Sequence, residues 1–192
     1  MTKIKVKLLN PNCKLDITKK GDWIDMRAAE TISLLAPQVG ARYSVKGEKR
    51  IKAQNEDKDE TIVRLRDVKF DRKLIPLGVA IQLPKGYEAV VLPRSSTPND
   101  KPKGKGIISA NSEGVIDNIY CGDNDQWFFN AIATRHTTIE EGDRICQFRI
   151  QLSQKATRWQ KIKWLFSSGV KIEYVTKLGN KDRGGFGSSG IK

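Results

Sequence analysis

Asn111-Ser112-Glu113-Gly114-Val115-Ile116-Asp117-Asn118-Ile119-Tyr120-Cys121-Gly122-Asp123 carries the densest local signal in the chain. Gly114 and Gly122 bracket a short β-branched run, which predicts a hairpin with one strand over Gly114 to Asp117 and the other from Tyr120 onward. Asp117 then stands at the hairpin tip, directly after Val115 and Ile116, whose side chains are expected to be buried. A carboxylate held on a rigid, partly dry element can orient and deprotonate a water. Tyr120 adds a flat apolar face with a polar tip, suited to lie under a sugar or a base. The same residues also fit an ordinary Asp-Asn turn beside a core tyrosine, so the rest of the chain has to decide.

Outward from that stretch, 192 residues set the expectation of one domain with a real core. No apolar run approaches membrane-spanning length, and Met-Thr-Lys-Ile-Lys-Val-Lys at the N-terminus lacks a signal-peptide core, so a cytoplasmic location without membrane contact is expected. Cys13, Cys121 and Cys146 are odd in number and far apart, which argues against a disulfide framework or a zinc site. Thirty-five Lys and Arg against 22 Asp and Glu give a net charge of +13, which favours anionic partners such as nucleotides or nucleic acid. Charge alone is non-specific, because lysine also serves simply as a solubilising residue.

Short strands dominate the pattern. Lys3 to Leu9 alternates, with Ile4, Val6 and Leu8 on one face. Asp25 lies between Ile24 and Met26, so a strand there points it away from them, solvated or functional and not in the core. Residues 37–60 dissolve into charged and small residues, the mark of a long loop or projecting hairpin. Ile62 to Val68, Leu77 to Pro84, Tyr87 to Leu92, Trp127 to Ala133, Arg144 to Ile150 and Lys171 to Val175 read as strands, the spacing of an all-β sandwich or barrel.

Pro93-Arg94-Ser95-Ser96-Thr97 closes one strand with a guanidinium fork and two hydroxyls, a cradle for a polyanion or else a capping Ser beside an Arg. Gln147 faces away from Cys146, Phe148 and Ile150. His136 has no partner near it in sequence and is expected at the surface. Ala156 to Gly169 reads as one helix, with Trp159, Ile162, Leu165 and Phe166 on an apolar face expected to pack on the barrel and basic residues opposite. Such a basic face with two tryptophans could instead touch nucleic acid, weakly, or a partner protein. The tail, Asp182-Arg183-Gly184-Gly185-Phe186-Gly187-Ser188-Ser189-Gly190, is glycine-dense enough to approach a phosphate, with Arg183 for charge and Phe186 to cover a flat base. It is expected to stay mobile until a ligand orders it.

Five stretches in order resemble the signature motifs of the homotrimeric dUTP pyrophosphatases (dUTPases): Asp25-Met26-Arg27-Ala28, Pro93 to Ser96, Gly114 to Tyr120 with Gly122, Gly142-Asp143-Arg144-Ile145 to Gln147, and Arg183 to Gly190. The resemblance implies an all-β, jelly-roll-like barrel over 1–181, a tail over 182–192 that closes the site, and a homotrimer whose active sites draw on three subunits. Residues 37–60 and 152–170 then count as insertions. The resemblance further implies that Asp117 activates the water attacking the α-phosphate of dUTP and that Tyr120 packs under the deoxyribose. Uracil is read by the backbone of Asn111 to Ile116, including Gly114 and Val115, with the Asn111 side chain nearby. Arg94, Ser95, Ser96 and Gln147 contact phosphates, and Asp25 reaches Mg2+ through water. Phe186 stacks on uracil, Arg183 and Ser188 or Ser189 lie at the γ-phosphate, and Gly187 is among the substrate-binding residues. Only two glycines separate Arg183 from Phe186, two residues fewer than the family more often has. The dCTP deaminases share the fold but use a Glu in the central motif and lack the Tyr120-type platform. A regulatory or DNA-binding module on a dUTPase fold is the other alternative.

Overall fold

The computed structural model describes residues 1–17, 21–42, 65–99 and 104–185. In chain order the strands are β1 (Thr2–Leu8), β2 (Asp16–Ile17), β3 (Ile24–Arg27), β4 (Ile32–Leu34), β5 (Gln38–Arg42), β6 (Leu65–Lys69) and β7 (Arg72–Gln82). They continue with β8 (Tyr87–Pro93), β9 (Ile107–Ser109), β10 (Gly114–Asp117), β11 (Gln126–Ala133), β12 (Thr137–Ile139), β13 (Arg144–Leu152) and β14 (Val170–Tyr174). One helix, α1 (Arg158–Leu165), precedes the last strand. Ten strands form two five-stranded sheets, in the orders β14-β1-β7-β11-β9 and β10-β8-β13-β3-β2. This is the all-β architecture that the strand spacing predicts, of the jelly-roll-like kind that the family resemblance implies.

Alternation explains how each strand faces the core. In β1, Thr2, Ile4 and Val6 are buried while Lys3 and Lys5 are exposed. From β7 come Ile75, Leu77, Val79 and Ile81, and from β13 come Phe148 and Ile150. Trp127 of the first sheet meets Phe148 of the second edge-on at 5.2 Å, so the two layers interlock through one aromatic pair. Gly78 sits at φ +64°, and a Cβ there would lie 2.7 Å from Cys13 Sγ. Its carbonyl takes the N–H groups of Leu9 and Asn10, which turns the chain at the end of β1.

Several expectations change in detail. β10 pairs antiparallel with β8, from Gly114↔Val91 to Asp117↔Glu88, and not with the chain after Tyr120. The reason is that residues 117–120 form a turn closed by Tyr120 N–H to Asp117 O at 3.1 Å, and the next strand starts only at Gln126. Val115 is 55% exposed, because β10 is the outermost strand of its sheet and Val115 and Asp117 share its outer side. The hairpin expected over 37–60 has its described stem in β5 and β6, paired from Gln38↔Lys69 to Arg42↔Leu65. Residues 43–64, including the expected strand start at Ile62, lie outside the described residues.

α1 buries none of its residues, contrary to the expectation that its apolar face packs on the barrel. It is short, and only a few of its residues reach the barrel. Thr157 and Gln160 form a capping box, Gln160 Nε2 donates to Lys85 O at 2.7 Å, and Trp164 lies against Tyr87 at 5.5 Å. Trp159, Leu165 and Phe166 therefore remain outside the core. Replacing fully buried Phe148 with Ala should cost about 3–5 kcal/mol through lost burial and the cavity left behind. Replacing Trp159, 74% exposed, should shift stability by no more than about 0.5 kcal/mol. Denaturant unfolding of both variants at one protein concentration checks the contrast.

Candidate active site

β9 ends one sheet and β10 ends the other, and the chain crosses between them at residues 110–113. Ser112 is the one non-glycine residue with positive φ among the described residues, at 59°, which tightens the crossing. Ala110 N–H donates to Asn130 O and Glu113 N–H to Asn111 O, at 2.8 and 2.6 Å. A cavity of about 270 Å³ opens here. Asn111, Gly114, Val115, Ile116, Asp117, Tyr120 and Arg183 all line it, together with residues 126–130 of β11. Sheet-terminal strands leave backbone N–H and C=O groups outside the ladder, so this wall can present donors and acceptors to a flat heterocycle. Ser109 Oγ bonds Asn111 Oδ1 at 2.9 Å, leaving the amide nitrogen of Asn111 as a donor.

Tyr120 is fixed as a platform by its hydroxyl, which donates to Gln126 O at 2.7 Å. Burial raises its phenol pKa first, the carboxylates of Asp125 and Asp182 raise it further, and Arg183 opposes them. The group stays a neutral donor near neutral pH. Asp117 keeps a side chain 55% exposed, so the carboxylate expected in a partly dry site is open to water in the single chain. Among the described residues, its ionic partner is Arg183, at 3.6 Å from Oδ2.

A second cluster forms on the outer side of the β3–β13 pair. Asp25, expected to point into solvent or to a functional group and not to lie in the core, is only 4% exposed. β2 covers it on one side and β13 on the other, in the register Asp16↔Asp25↔Gln147. Arg94 Nε donates to its Oδ1 at 2.9 Å, and Arg144 Nη1 lies 3.4 Å from Oδ2. Asp25 thus orients two guanidinium groups, each with further N–H donors for an anion. Arg27 and Asp16 extend the network at 2.5 Å. Next to it, Thr97 Oγ1 donates to Ile145 O at 2.7 Å and pins the turn after Arg94, so that Ser95 and Ser96 sit on a fixed loop and not on a helix cap.

No residue of this second cluster lines the cavity among the described residues. One chain therefore carries a base-sized recess with a carboxylate and, apart from it, an arginine and hydroxyl cluster. Phe186, Gly187, Ser188 and Ser189 lie outside the described residues. Arg144, Asp16 and Arg27 received no role from the sequence, because only cross-strand register brings them to Asp25. Asp125 was also missed, and its position is described below.

The remaining reactive groups narrow the chemistry. Burial pushes the Cys146 thiol well up, with Asp25 adding to the rise and Arg94 opposing it, and burial also raises Cys121. Neither is a ready thiolate nucleophile. His136 is exposed, as expected. No group of three or more His, Cys, Asp or Glu side chains is placed to hold a metal among the described residues. Asp25, the carboxylate that the family resemblance assigns to Mg2+ through water, already meets Arg94 and Arg144 with its two oxygens.

The dUTPase family pattern matches residues 59–162. The SPbeta prophage-derived deoxyuridine 5'-triphosphate nucleotidohydrolase of Bacillus subtilis is 42% identical over 190 residues, 98% of this chain and 99% of the relative. Residues 37–60 and 152–170 fall inside that aligned length. A deoxyuridine 5'-triphosphate nucleotidohydrolase of Hydrogenobaculum is 35% identical over 125 residues, covering 64% of this chain and 74% of the relative. Among solved structures, the dUTPase of Streptococcus mutans superposes with a TM-score of 0.54 at 19% identity, covering 80% of this chain and 98% of that one. A point mutant of the dUTPase of phage phi11 of S. aureus, described with a structural Mg(II) ion, superposes with a TM-score of 0.53 at 17% identity, covering 80% of this chain and 93% of that one. With the family pattern matched over more than half of the chain and a relative 42% identical over nearly its full length, this chain belongs to the dUTPase family.

Proposed function

We propose that the chain hydrolyses dUTP to dUMP and pyrophosphate, and that its active sites are completed between the subunits of a homotrimer. The observation that carries this reading is the split site. A cavity with Asp117 and Tyr120 lies apart from the cluster of Arg94, Ser95, Ser96, Asp25 and Gln147. A second copy of the chain can supply the missing half to each cavity.

In this arrangement uracil lies against the β9–β10 crossing, whose backbone presents donors and acceptors and leaves little space for a C5 methyl group. The deoxyribose rests on the Tyr120 ring, where a 2'-hydroxyl would be crowded. Arg94, Ser95, Ser96 and Gln147 of a neighbouring subunit hold the triphosphate. Asp117 accepts a proton from a water whose oxygen forms a bond to the α-phosphorus, while the bond from that phosphorus to the bridging oxygen breaks and pyrophosphate leaves. Magnesium carried by the triphosphate would neutralise charge on the leaving group, and by family resemblance Asp25 is assigned to reach it through water. Phe186, Gly187, Ser188 and Ser189 are assigned to cover uracil and the γ-phosphate by family resemblance.

A weak nucleic-acid contact is a second reading, favoured by exposed Trp159 and Phe166 beside Arg158, Lys161 and Lys163 on and after α1. Single-stranded DNA binding that weakens steeply with salt supports it, and salt-independent or absent binding removes it.

Asp117→Asn should lower kcat by about 10²–10⁴-fold with binding of a non-hydrolysable dUTP analogue retained, the range expected for loss of a general base. Unchanged turnover would place the base elsewhere. Pyrophosphate release should be confined to dUTP in a panel with dCTP, dTTP and UTP, and no ammonia should form. Sedimentation should give a trimer, and truncation after Lys181 should leave that trimer intact while removing most activity. A monomer that turns over dUTP at full rate would sink the shared-site arrangement.

A further inference from the structure

The loop from Cys121 to Asp125 holds the chain that follows β14. Asp123 accepts the N–H groups of Leu178 and Gly179 at 2.9 and 3.3 Å, and Asn180 Nδ2 donates to Cys121 O at 3.2 Å. Asn124 gives both its backbone N–H and its side-chain amide to Asp182, at 2.8 and 2.7 Å. These bonds hold Asp182 below the ordinary carboxylate range, the Asn124 backbone N–H contributing most. Gly122 makes room for the contact, since a Cβ there would come 2.4 Å from Asp182 Cα. The boundary expected between 181 and 182 is therefore not where docking stops, because it continues through Gly184.

Asp125 is the innermost part of this clamp. It is only 2% exposed and has no cationic side chain in an ion pair with it among the described contacts. Its partners are backbone N–H groups: Gly122 at 2.8 Å, Arg183 at 3.0 Å to each oxygen, and Gly184 at 3.1 Å. A buried carboxylate satisfied by N–H donors is costly to leave unpaired, so it holds their positions firmly. The consequence falls on the cavity. With its backbone fixed, Arg183 sets its guanidinium 3.6 Å from Asp117 Oδ2. Gly185 passes over Tyr120, where an added Cβ would lie 3.1 Å from the hydroxyl.

We propose that Asp125 is a positioning residue, which by gripping the Arg183–Gly184 backbone keeps the Arg183 guanidinium on the Asp117 carboxylate of the same chain. The pairing engages one oxygen of Asp117 and leaves the other to face a water. Arg183 thereby acts within its own chain, orienting the base. The short Arg183-Gly184-Gly185-Phe186 spacing is compatible with an arginine that stays at the cavity rim. The catalytic part of this inference rests on the assignment of Asp117 under Proposed function; the clamp itself does not.

The test uses the full chain, with Asp125→Asn, Gly122→Ala and Arg183→Gln compared with wild type. Amide exchange at Arg183 and Gly184 should quicken by about tenfold or more in the first two variants, as expected when a local docking contact is lost. The carboxyl-carbon NMR signal of Asp117 should move in all three in the same direction. With dUTP, kcat should fall about tenfold while KM changes less than about threefold, the pattern of an interaction that acts on the reacting step. Melting temperatures close to wild type would exclude a general loss of fold, and Gly122→Ala serves if Asp125→Asn fails to fold. Unchanged exchange, an unmoved Asp117 signal, or a displaced Arg183 with unaltered kcat would each overturn the proposal. A wild-type protein that leaves dUTP intact would defeat the assigned reaction, while exchange and the Asp117 signal would still decide the clamp.

Discussion

Everything at the cavity depends on the two sheets ending at different strands on the same side of the molecule. Trp127 and Phe148 lock the layers at 5.2 Å, and the chain then has to cross from β9 in one sheet to β10 in the other. That crossing cannot complete either ladder. Its backbone polar groups are left to turns, to Asn130 and Ser109, or to a ligand. A site that reads a heterocycle by backbone hydrogen bonds is a direct product of this arrangement.

Charge is distributed in keeping with the same division. The net charge of +13 is not concentrated in the cavity, where Asp117 stands opposite a single Arg183. On the β3–β13 surface, buried Asp25 holds Arg94 and Arg144 in fixed directions. A buried carboxylate without those guanidinium groups would be strongly unfavourable, and arginines without it would sample many rotamers before meeting a phosphate. The acid and its two bases organise each other. Asp125 repeats the device with a different donor set, using backbone N–H groups from the loop and from the docked segment after β14.

The surface elements follow a weaker logic. α1 is capped by Thr157 and Gln160 and fastened through Trp164, but Trp159 and, just past the helix, Phe166 stay exposed. The β5–β6 stem likewise pairs with itself and joins neither large sheet. Both regions fall within the aligned length of the Bacillus relative.

The all-β class and most strands were legible in the sequence, because period-two alternation and glycine placement are local properties of the chain. Of the cavity residues, Asp117 and Tyr120 were singled out from the residues themselves, and Asn111, Gly114, Val115 and Ile116 through the family resemblance. Asn111, Gly114, Ile116, Asp117 and Tyr120 lie within ten residues of one another, so one crossing carries them all to the cavity. What depends on partners distant in sequence was not legible. The pairing of β10 with β8, the burial of Asp25 between β2 and β13, the exposure of Val115 on a terminal strand and the grip of Asp125 on Arg183 are all set by cross-strand register and docking. Alternation tells which residues share a face; only the closed sheets decide what that face meets.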